Sequence, residues 1–566
     1  MGTVLGYLRP HARRVACGVT VKFTAALLEL VLPLLLEHIV DVSVPARDLA
    51  AIWVCGGLMA ALAFGAAFCN ITANRMAARV SMEVTEKLRG DLYSRTQRLS
   101  CAQMDRFSTS SLVSRLTNDT YNVHQMFDKV QRGGIRAPML VLGGLVLTFL
   151  LEPALAAVQL AVSILTFLTI WQVTRRGIPH YAAAQEAGDT VVRIIRENAS
   201  GVRVVKALAC QGRERQRFGA ASETACRAEE TAGCVMAAAN PLTDLLLNTG
   251  LVLVVLVGAL RVDAGQMPPG QIVAFLSYFT LIQTATLGIA KVFIRISKGA
   301  ASARRIREIL LEPEDQLLRP SVASSGAALG MEGVSFSYLG VERDLTDVTF
   351  TLGRGETLGV LGPTGSGKST LAALLMRLYD AGEGIVWVGG RDVTAVPREE
   401  RRFGVVFQSE ALLNDSVYEN ISFLRGIPRE DVSAAAKTAQ AWDFIQALPE
   451  GLDSRLDIRG ANLSGGQRQR LLTARALAGK PAVLVLDSAD SALDYATAAA
   501  LRAAIRRDCP GVTLVVISER VASLRDADRI LVLEEGRVTD QGTHEELLER
   551  CARYRHIAKM QEGVLL

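Results

Sequence analysis

The chain has 566 residues, half of them hydrophobic but only 5% aromatic, a length that exceeds one compact core and indicates at least two domains. The formal net charge of +5 is small for this length and gives no support for nucleic-acid binding, which needs a clustered basic face. Nine scattered cysteines form no CxxC pair, so neither a zinc site nor a disulfide framework is indicated. The apolar residues form aliphatic runs, which favours membrane spans over a large soluble α/β protein with buried helices.

Apolar runs in the first half of the chain each approach the ~20 residues that cross a bilayer as a helix. They lie near residues 15–38, 50–71, 136–151, 153–174, 235–260 and 271–294. Long polar segments of helical pattern, rich in Arg and Lys, separate the second run from the third and the fourth from the fifth. Because basic residues concentrate on the cytoplasmic side, we predict that both termini and both long segments are cytoplasmic.

Four ionisable residues fall at or near membrane depth, where such side chains usually face a bundle interior or a water-filled cavity. Glu29 and Asp244 are the predicted cavity-lining pair. Lys22 and Lys291 have an alternative interpretation, in which each extends its amine to the cytoplasmic boundary.

A polar segment divides the chain. Residues 312–330 are small and polar with two prolines, as expected of a linker. From about residue 331, short β-rich runs alternate with helical stretches, which is typical of a parallel α/β domain. We therefore predict a transmembrane domain with long cytoplasmic helix extensions at 1–311, a linker at 312–330 and an α/β domain at 331–566.

A phosphate-binding loop opens the α/β domain. The segment GPTGSGKST fits the pattern GxxxxGK(S/T), follows the apolar strand 357–361 and precedes a helix. Its glycines let backbone N–H groups close around phosphate oxygens, Lys368 supplies charge for the β- and γ-phosphates, and Ser369 offers a hydroxyl to Mg²⁺. The predicted nucleotide-binding residues of this loop are Gly362, Pro363, Thr364, Gly365, Ser366, Gly367, Lys368, Ser369 and Thr370.

A second motif lies about 120 residues later, where the apolar run VLVLD ends in Asp487, the position of a Mg²⁺-orienting carboxylate in P-loop NTPases. Just before it, the segment LSGGQ includes Ser464, Gly465, Gly466 and Gln467 and matches the signature of ABC ATPases. Gln408, in VVFQSE, resembles the glutamine of that family's Q-loop, and Tyr338, in FSY, resembles the aromatic residue that stacks on adenine.

Together these motifs resemble the exporter-fold ABC half-transporters, of the multidrug- and lipid-exporter-like kind, over nearly the whole chain. The resemblance implies six transmembrane helices fused to an α/β P-loop ABC nucleotide-binding domain, ATP and Mg²⁺ as cofactors, and a cell-membrane location, here a bacterial inner membrane. Ser369, Gln408 and Asp487 would bind Mg²⁺. Two such domains sandwich two ATP molecules, so Ser464 to Gln467 would serve the partner's site in trans. Residues 109–117 and 198–206 are the predicted coupling helices.

Two positions depart from the family. Ser488 stands where the family has the glutamate that acts as general base, and Glu519 stands where it has the switch histidine. A serine hydroxyl does not accept the attacking water's proton near neutral pH, and loss of a general base costs ~10²–10⁴-fold in rate. Asp490 lies nearby, at a position where the family usually has threonine, and is not expected to replace the base.

A degenerate site beside an intact signature resembles the non-catalytic subunit of heterodimeric ABC exporters; the alternative is an inactive ATPase. The leading functional hypothesis is export of an amphipathic solute, with a second, non-identical half-transporter that carries the missing Glu and His. Two other hypotheses stay open: import by the same fold, as in some siderophore systems, and a non-transporting ABC protein that regulates a partner.

Overall fold

The computed structural model describes residues 2–313, 318–319, 324–338, 340, 342–408 and 411–562. The described chain divides into two compact units, of which the first comprises Met1–Gln97 with Ser110–Glu312 and the second comprises Arg98–Thr109 with Pro313–Leu566. Much of the expected linker, at 314–317 and 320–323, lies outside the described residues. Leu329 and Gly330, expected in the linker, already belong to the first strand.

Long helices make up the first unit. The helices of this half of the chain are α1 Gly2–Gly6, α2 Ala12–His38, α3 Leu49–Thr96, α4 Cys101–Phe107, α5 Thr109–Ser114, α6 Thr120–Leu151, α7 Pro153–Ala207, α8 Gln211–Ala237, α9 Ala239–Asp263 and α10 Pro269–Leu310. Within the described ranges, six helical segments are long and apolar enough to cross a membrane, which confirms the predicted spans. With 55 residues, α7 extends about 80 Å, far beyond the ~30 Å of a bilayer core.

Small residues let the spans approach closely. An added Cβ at Gly144 of α6 would lie 2.7 Å from Ile282 of α10, and one at Gly250 of α9 would lie 2.2 Å from Phe279 of α10. Because lipid tails are as apolar as the helices, close packing of this kind is what holds such a bundle together.

A polar network joins α2, α3 and α6. The Lys22 ammonium, 4% exposed, donates to Asn70 Oδ1 at 2.7 Å and to Asn74 Oδ1 at 3.0 Å. Asn70 in turn donates to Glu29 Oε1 at 2.8 Å, and Arg136 Nη2 donates to Glu29 Oε2 at 2.7 Å. Charged side chains are tolerated inside a membrane bundle when they are paired in this way.

This network corrects one prediction. Lys22 does not extend to the boundary, because asparagine carbonyls on α3 accept its protons inside the bundle. Glu29 is partly exposed and accepts hydrogen bonds from Asn70 and Arg136, and its place in a substrate cavity stays a prediction. Asp244 and Lys291 are exposed on α9 and α10.

The helix bounds near the two predicted coupling helices differ from those expected, while the coupling role itself stays a prediction. The short helix at the first turn is α4, not 109–117: a capping box of Ser100 and Gln103 starts it, and Ser108, with φ of +59°, ends it. Residues 109–117 lie in α5 and the wide helical turn leading to α6. Residues 198–206 form the last turns of α7, and the chain reverses only after Ala207.

In the second unit, α4 contacts the α/β domain. Tyr379 donates its hydroxyl to Asp105 Oδ2 at 2.6 Å. Burial and the neighbouring carboxylate raise the pKa of Tyr379 well above its usual range, so this phenol remains a donor at all physiological pH values.

Two sheets build the α/β domain. The strands are β1 Leu329–Phe336, β2 Leu345–Leu352, β3 Thr357–Leu361, β4 Glu383–Val388, β5 Arg391–Asp392, β6 Phe403–Val406, β7 Val483–Asp487, β8 Thr513–Ile517, β9 Arg529–Glu534 and β10 Arg537–Gly542. Strands β2, β1, β4 and β5 form an antiparallel sheet in that order. The larger sheet has the order β10-β9-β3-β8-β7-β6, and its strands are parallel except for β10.

Helices cover the larger sheet. They are α11 Lys368–Leu375, α12 Val417–Ser422, α13 Arg429–Thr438, α14 Trp442–Gln446, α15 Gly465–Ala478, α16 Tyr495–Asp508, α17 Val521–Leu524, α18 His544–Arg550 and α19 Ala552–Glu562. Every residue of β3, β7 and β8 is buried, as expected for parallel strands with cores on both faces. The carboxyl ends of β3, β6, β7 and β8 meet at one edge, where α/β sheets bind ligands.

We expect Glu29→Gln to destabilise the membrane domain by about 1–3 kcal/mol, because Arg136 and Asn70 lose a charged acceptor inside the bundle. Asp244→Asn is the matched control, since the same acid-to-amide change at an exposed site should stay within about 0.5 kcal/mol. The measurement is thermal unfolding of the purified chain in detergent. Equal midpoints for the two variants would contradict the structural role of Glu29.

Candidate functional site

A cavity of about 500 Å³ lies at the carboxyl edge of the larger sheet. Loops that follow β3, β6, β7 and β8 supply most of its wall. The lining residues are Glu342, Arg343, Asp344, Thr364, Gly365, Gly367, Lys368, Ser369, Thr370, Gln408, Asp487, Ser488, Glu519, Glu535 and Gly536. The sheet therefore brings together residues that the sequence separates by more than a hundred positions.

The loop between β3 and α11 depends on its glycines. Gly365 and Gly367 adopt φ of +83° and +97°, a left-handed conformation that suits glycine. An added Cβ at Gly362 would lie 2.4 Å from the Leu533 carbonyl oxygen. The first amides of α11 have no partner within the helix and carry the positive end of its dipole, so the loop suits an anion such as phosphate.

Lys368 and Ser369 open α11 inside this loop. The Lys368 ammonium donates to the carbonyls of Gly362 and Pro363, both at 2.8 Å. Ser369 Oγ donates to Asp487 Oδ2 at 2.8 Å. The Ser366 hydroxyl is buried and has no hydrogen-bond partner among the described residues.

The Ser369 and Asp487 pair fits a magnesium ion. A hydroxyl and a carboxylate are the hard oxygen ligands that Mg²⁺ takes from P-loop proteins beside substrate phosphates. Burial raises the pKa of Asp487 above its usual range, while the hydrogen bonds from Ser369 and Ser488 and the charge of Lys368 oppose that rise. When bound, Mg²⁺ would supply charge neutralisation between the phosphates and would keep this carboxylate ionised.

Ser488 follows Asp487 directly and adopts φ of +55°. It lines the cavity beside Asp487, and its backbone N–H donates to the Ile517 carbonyl at 2.9 Å. A serine hydroxyl does not accept a proton from water near neutral pH, so the chemistry of this side chain does not suit a general base.

Glu519 lies against the phosphate-binding loop from the β8 side. Its Oε1 accepts a hydrogen bond from Thr364 Oγ1 at 3.1 Å and lies 3.6 Å from Lys368 Nζ. A negative side chain therefore stands beside the cation that should bind the terminal phosphate. The resulting like-charge repulsion weakens the binding of a γ-phosphate here without preventing it, because Glu519 is largely exposed to solvent.

Asp490 lies outside the wall of the 500 Å³ cavity. Its carboxylate accepts hydrogen bonds from Ser518 Oγ, at 2.8 Å, and from Ser523 Oγ. Gln408 follows β6 and does line the cavity, with an exposed side chain.

Tyr338 lies outside the cavity wall. Its hydroxyl donates to Thr370 Oγ1 at 3.4 Å, and its ring packs edge-on against Phe336 and Tyr379 with centroids 4.9 and 5.0 Å away. Contact with an adenine ring at this position stays a prediction.

The LSGGQ segment is also outside the cavity. Ser464 caps α15: its Oγ accepts from the Gln467 N–H at 3.2 Å, and the Gln467 side chain accepts from the Ser464 N–H at 2.9 Å. Ser464 and Gly465 are exposed, with Gly466 half-buried behind them. A helix start with exposed amides can receive an anion, but not one held by the loop of the same chain's cavity.

Sequence reasoning missed the acidic wall of the cavity. Glu342, Arg343, Asp344 and Glu535 come from the loop before β2 and from the β9–β10 hairpin. The glycine of that hairpin, Gly536, has φ of +76° and donates its N–H to the Ser366 carbonyl at 3.2 Å. The turn signal in LVLEEGRV could have located the hairpin, but only the sheet order places it beside the phosphate-binding loop.

Comparisons with known proteins agree with this geometry. Residues 15–286 match the family described as ABC transporter transmembrane region, and residues 345–491 match the family described as ABC transporter. The chain is 33% identical to the ABC transporter ATP-binding protein YfiB of Bacillus subtilis, over 100% of this chain and 99% of that protein. It is 29% identical to the ATP-dependent lipid A-core flippase of Albidiferax ferrireducens, over 99% and 97%. It is similar in fold to a bacterial Atm1-family ABC exporter with ATP bound, with a TM-score of 0.84 and 24% identity over 97% of this chain and 98% of that one.

We expect Glu519→Gln to raise the affinity of this cavity for Mg²⁺-ATP by roughly threefold to tenfold, because it removes the negative charge beside Lys368 and keeps the acceptor for Thr364. ADP affinity should change less, since ADP lacks the γ-phosphate. Equilibrium binding of fluorescent nucleotides to the full chain measures both. Glu535→Gln, in the same cavity wall, is the control and should change either affinity less than about twofold. Unchanged ATP affinity in Glu519→Gln would contradict the repulsion argument.

Proposed function

The chain belongs to the ABC transporter family, with the exporter-type fold, and from this premise we propose that it is the degenerate-site half of a heterodimeric, ATP-driven exporter of amphipathic solutes. The observation that carries the proposal is the position of Ser488, which lines the nucleotide cavity directly after Asp487, where the family has its catalytic glutamate. Glu519 beside Lys368 supports it, because a carboxylate there does not donate the hydrogen bond of a switch histidine.

ATP is proposed to bind at this chain's own site and to remain there. In this proposal the glycine loop, Lys368, Ser369 and Asp487, which meet at one cavity, hold the phosphates and Mg²⁺. Without a proton acceptor at Ser488, the attacking water is not activated, and the nucleotide acts as a structural link between the two α/β domains. Its binding still joins two domains, as in other nucleotide switches.

The signature segment of this chain is proposed to work in trans. Ser464 and Gly465 are exposed at the start of α15, outside the chain's own cavity, so their free amides suit a γ-phosphate that another chain presents. A glycine at each of the two positions after Ser464 keeps that approach open.

A non-identical partner follows from this asymmetry. Two copies of the chain would form two sites that both lack the base, and a general base is worth ~10²–10⁴-fold in rate. A partner with the glutamate and the histidine restores one working site, which this chain completes with LSGGQ. The partner's own signature only closes the impaired site and is therefore free to vary.

The substrate class and the location are proposed from the membrane domain and from one relative. The relative from Albidiferax ferrireducens bears the name lipid A-core flippase, which describes transport of an amphipathic molecule. Six long apolar segments embed the first unit in a membrane, and the basic residues of the two long helix pairs support a cytoplasmic α/β domain.

Mutations in the two motifs of this chain should have unequal effects. Ser464→Arg should lower ATPase activity of the purified pair by about 10²-fold or more, because it places bulk and charge at the partner's working site. Lys368→Ala should leave a substantial fraction of the ATPase activity, because this change affects the site that hydrolyses ATP poorly. Lys480→Ala, an exposed lysine of the same domain, is the control and should leave activity unchanged. Full activity of the chain without any partner would refute the heterodimer, as would a harmless Ser464→Arg.

The nucleotide found at each site during turnover should also differ. Azido-ATP labelled on either its α- or its γ-phosphate would be crosslinked to the pair under turnover. This chain should retain both labels, since its ATP stays intact, whereas the partner should retain mainly the α label. Equal loss of the γ label from the two chains would show that this site hydrolyses ATP as readily as the other.

A further inference from the structure

A second cavity, of about 400 Å³, lies in the membrane domain between α7 and the α8–α9 pair. Its volume is near the lower end of the range for small-molecule sites, ~300–1,000 Å³. The lining residues are Leu165, Thr169, Gln172, Val173, Arg176, Val235, Ala238, Leu242, Leu245 and Leu246. No acidic residue lines it, and neither Asp244 nor Glu29 does.

The α7 wall of the cavity changes from apolar to charged along its length, whereas the opposite wall is apolar. Thr169, Gln172 and Arg176 are spaced by three and four residues, so they lie along one face of α7. From Leu165 to Arg176 this face extends roughly 16 Å, at about 1.5 Å per residue. The opposite wall, from α8 and α9, is aliphatic throughout. One end of the cavity is therefore cationic, the α7 wall stays polar as far as Thr169, and the wall from α8 and α9 is apolar.

Arg176 has no carboxylate partner among the described residues, whereas its neighbour Arg175 stacks on the Trp171 ring at 5.2 Å. The hydroxyl of Thr169 donates to the Leu165 carbonyl at 2.8 Å, which leaves its oxygen free to accept only. Arg176 and Gln172, both exposed, are thus the donors that a bound molecule would meet. A guanidinium pairs with a carboxylate or a phosphate through two parallel hydrogen bonds, and a ligand can supply that group.

The position of Arg176 along α7 indicates the orientation of such a ligand. Arg176 lies 23 residues after Pro153, at which α7 begins, or about 35 Å along the helix. With the orientation proposed above, this distance places Arg176 at the inner edge of a ~30 Å hydrocarbon core, and Leu165 within it. A lipid-like molecule in the inner leaflet has the same arrangement, with its head at the boundary and its chain in the core.

We propose that this cavity binds a single-chain amphiphile with an anionic head, a carboxylate or a phosphate, which Arg176 and Gln172 bind while the chain lies along the aliphatic wall. The proposal rests on the proposed export of amphipathic solutes and narrows that class by the sign of the head-group charge. It differs from a general affinity for apolar molecules, because an isolated guanidinium at one end discriminates between heads that the apolar wall treats alike.

The test is direct binding to the purified full chain in phosphatidylcholine nanodiscs, without ATP and without a partner. The probes share a dodecyl chain and differ in the head: dodecanoate, dodecyl phosphate, dodecanol and dodecyltrimethylammonium. We expect the two anions to bind at least about tenfold more tightly than the alcohol or the cation, which corresponds to one charge-assisted hydrogen bond. Equal binding of the alcohol or the cation would overturn the proposal.

Variants locate the site. Arg176→Gln should weaken binding of both anions about tenfold and leave dodecanol unchanged, whereas Arg175→Gln, which removes the same charge one residue away, should have little effect. Ala238→Phe should fill the cavity and weaken every probe, and Ala237→Phe, outside the lining, is its control. If both arginine variants lose anion binding, or if neither does, Arg176 is not the residue that binds the head group and the proposed site is wrong.

Two further comparisons identify the head group and distinguish a single-chain molecule from a bilayer lipid. If dodecanoate and dodecyl phosphate bind equally, the shared negative charge is what the cavity recognises; a preference for one assigns the head. If diacyl phosphatidylglycerol in the nanodisc displaces both probes, the cavity holds a bilayer lipid and the single-chain proposal fails. None of these binding measurements uses ATP or a second chain. Their outcome therefore does not depend on whether the transporter is a heterodimer or hydrolyses ATP.

Discussion

The hydrogen bond from Ser369 to Asp487 joins the first turn of α11 to the end of β7, and the nucleotide site is arranged around it. It holds only because β3, β8 and β7 are adjacent and parallel, so that loops distant in sequence open at one edge. The buried apolar strands fix that edge, and the glycine loop leaves room beside it for phosphate. The packing of the parallel sheet thus positions one hydroxyl oxygen and one carboxylate oxygen next to each other, where both can bind one cation.

Around this pair, the proposed loss of hydrolysis rests on two residues, Ser488 and Glu519. Ser488 lines the cavity beside Asp487, and Glu519 accepts a hydrogen bond from Thr364 of the phosphate-binding loop. Neither residue has an unsatisfied buried polar atom in the described part of the chain. Binding and hydrolysis depend on different side chains, and one can be removed without the other.

The α/β domain was largely predictable from local motifs. The glycine loop, the signature and the strand before Asp487 are each short contiguous segments, so their residue types can be recognised without knowing the fold. The fold class is confirmed, and so are the membrane-spanning helices. Contacts between distant positions were not predictable: Glu29 meets Arg136 across 107 residues, and nothing in either run shows that their helices are neighbours. The start of α4 was missed because a capping box within a long polar helical pattern is a weak signal beside the pattern itself. The sign of the second cavity's charge likewise depends on which face of α7 meets α9.

The polar network of the membrane domain has a consequence for biosynthesis. Lys22, Asn70 and Glu29 all belong to α2 and α3, so the first two spans already satisfy one another before α6 has been synthesised. A hairpin that carries its own polar partners can enter the bilayer as a unit, with the cost of its charges reduced inside the pair. Arg136 then arrives with the third span and finds a carboxylate oriented to receive it. The order in which the ribosome releases these helices is therefore the order in which their charges become neutralised.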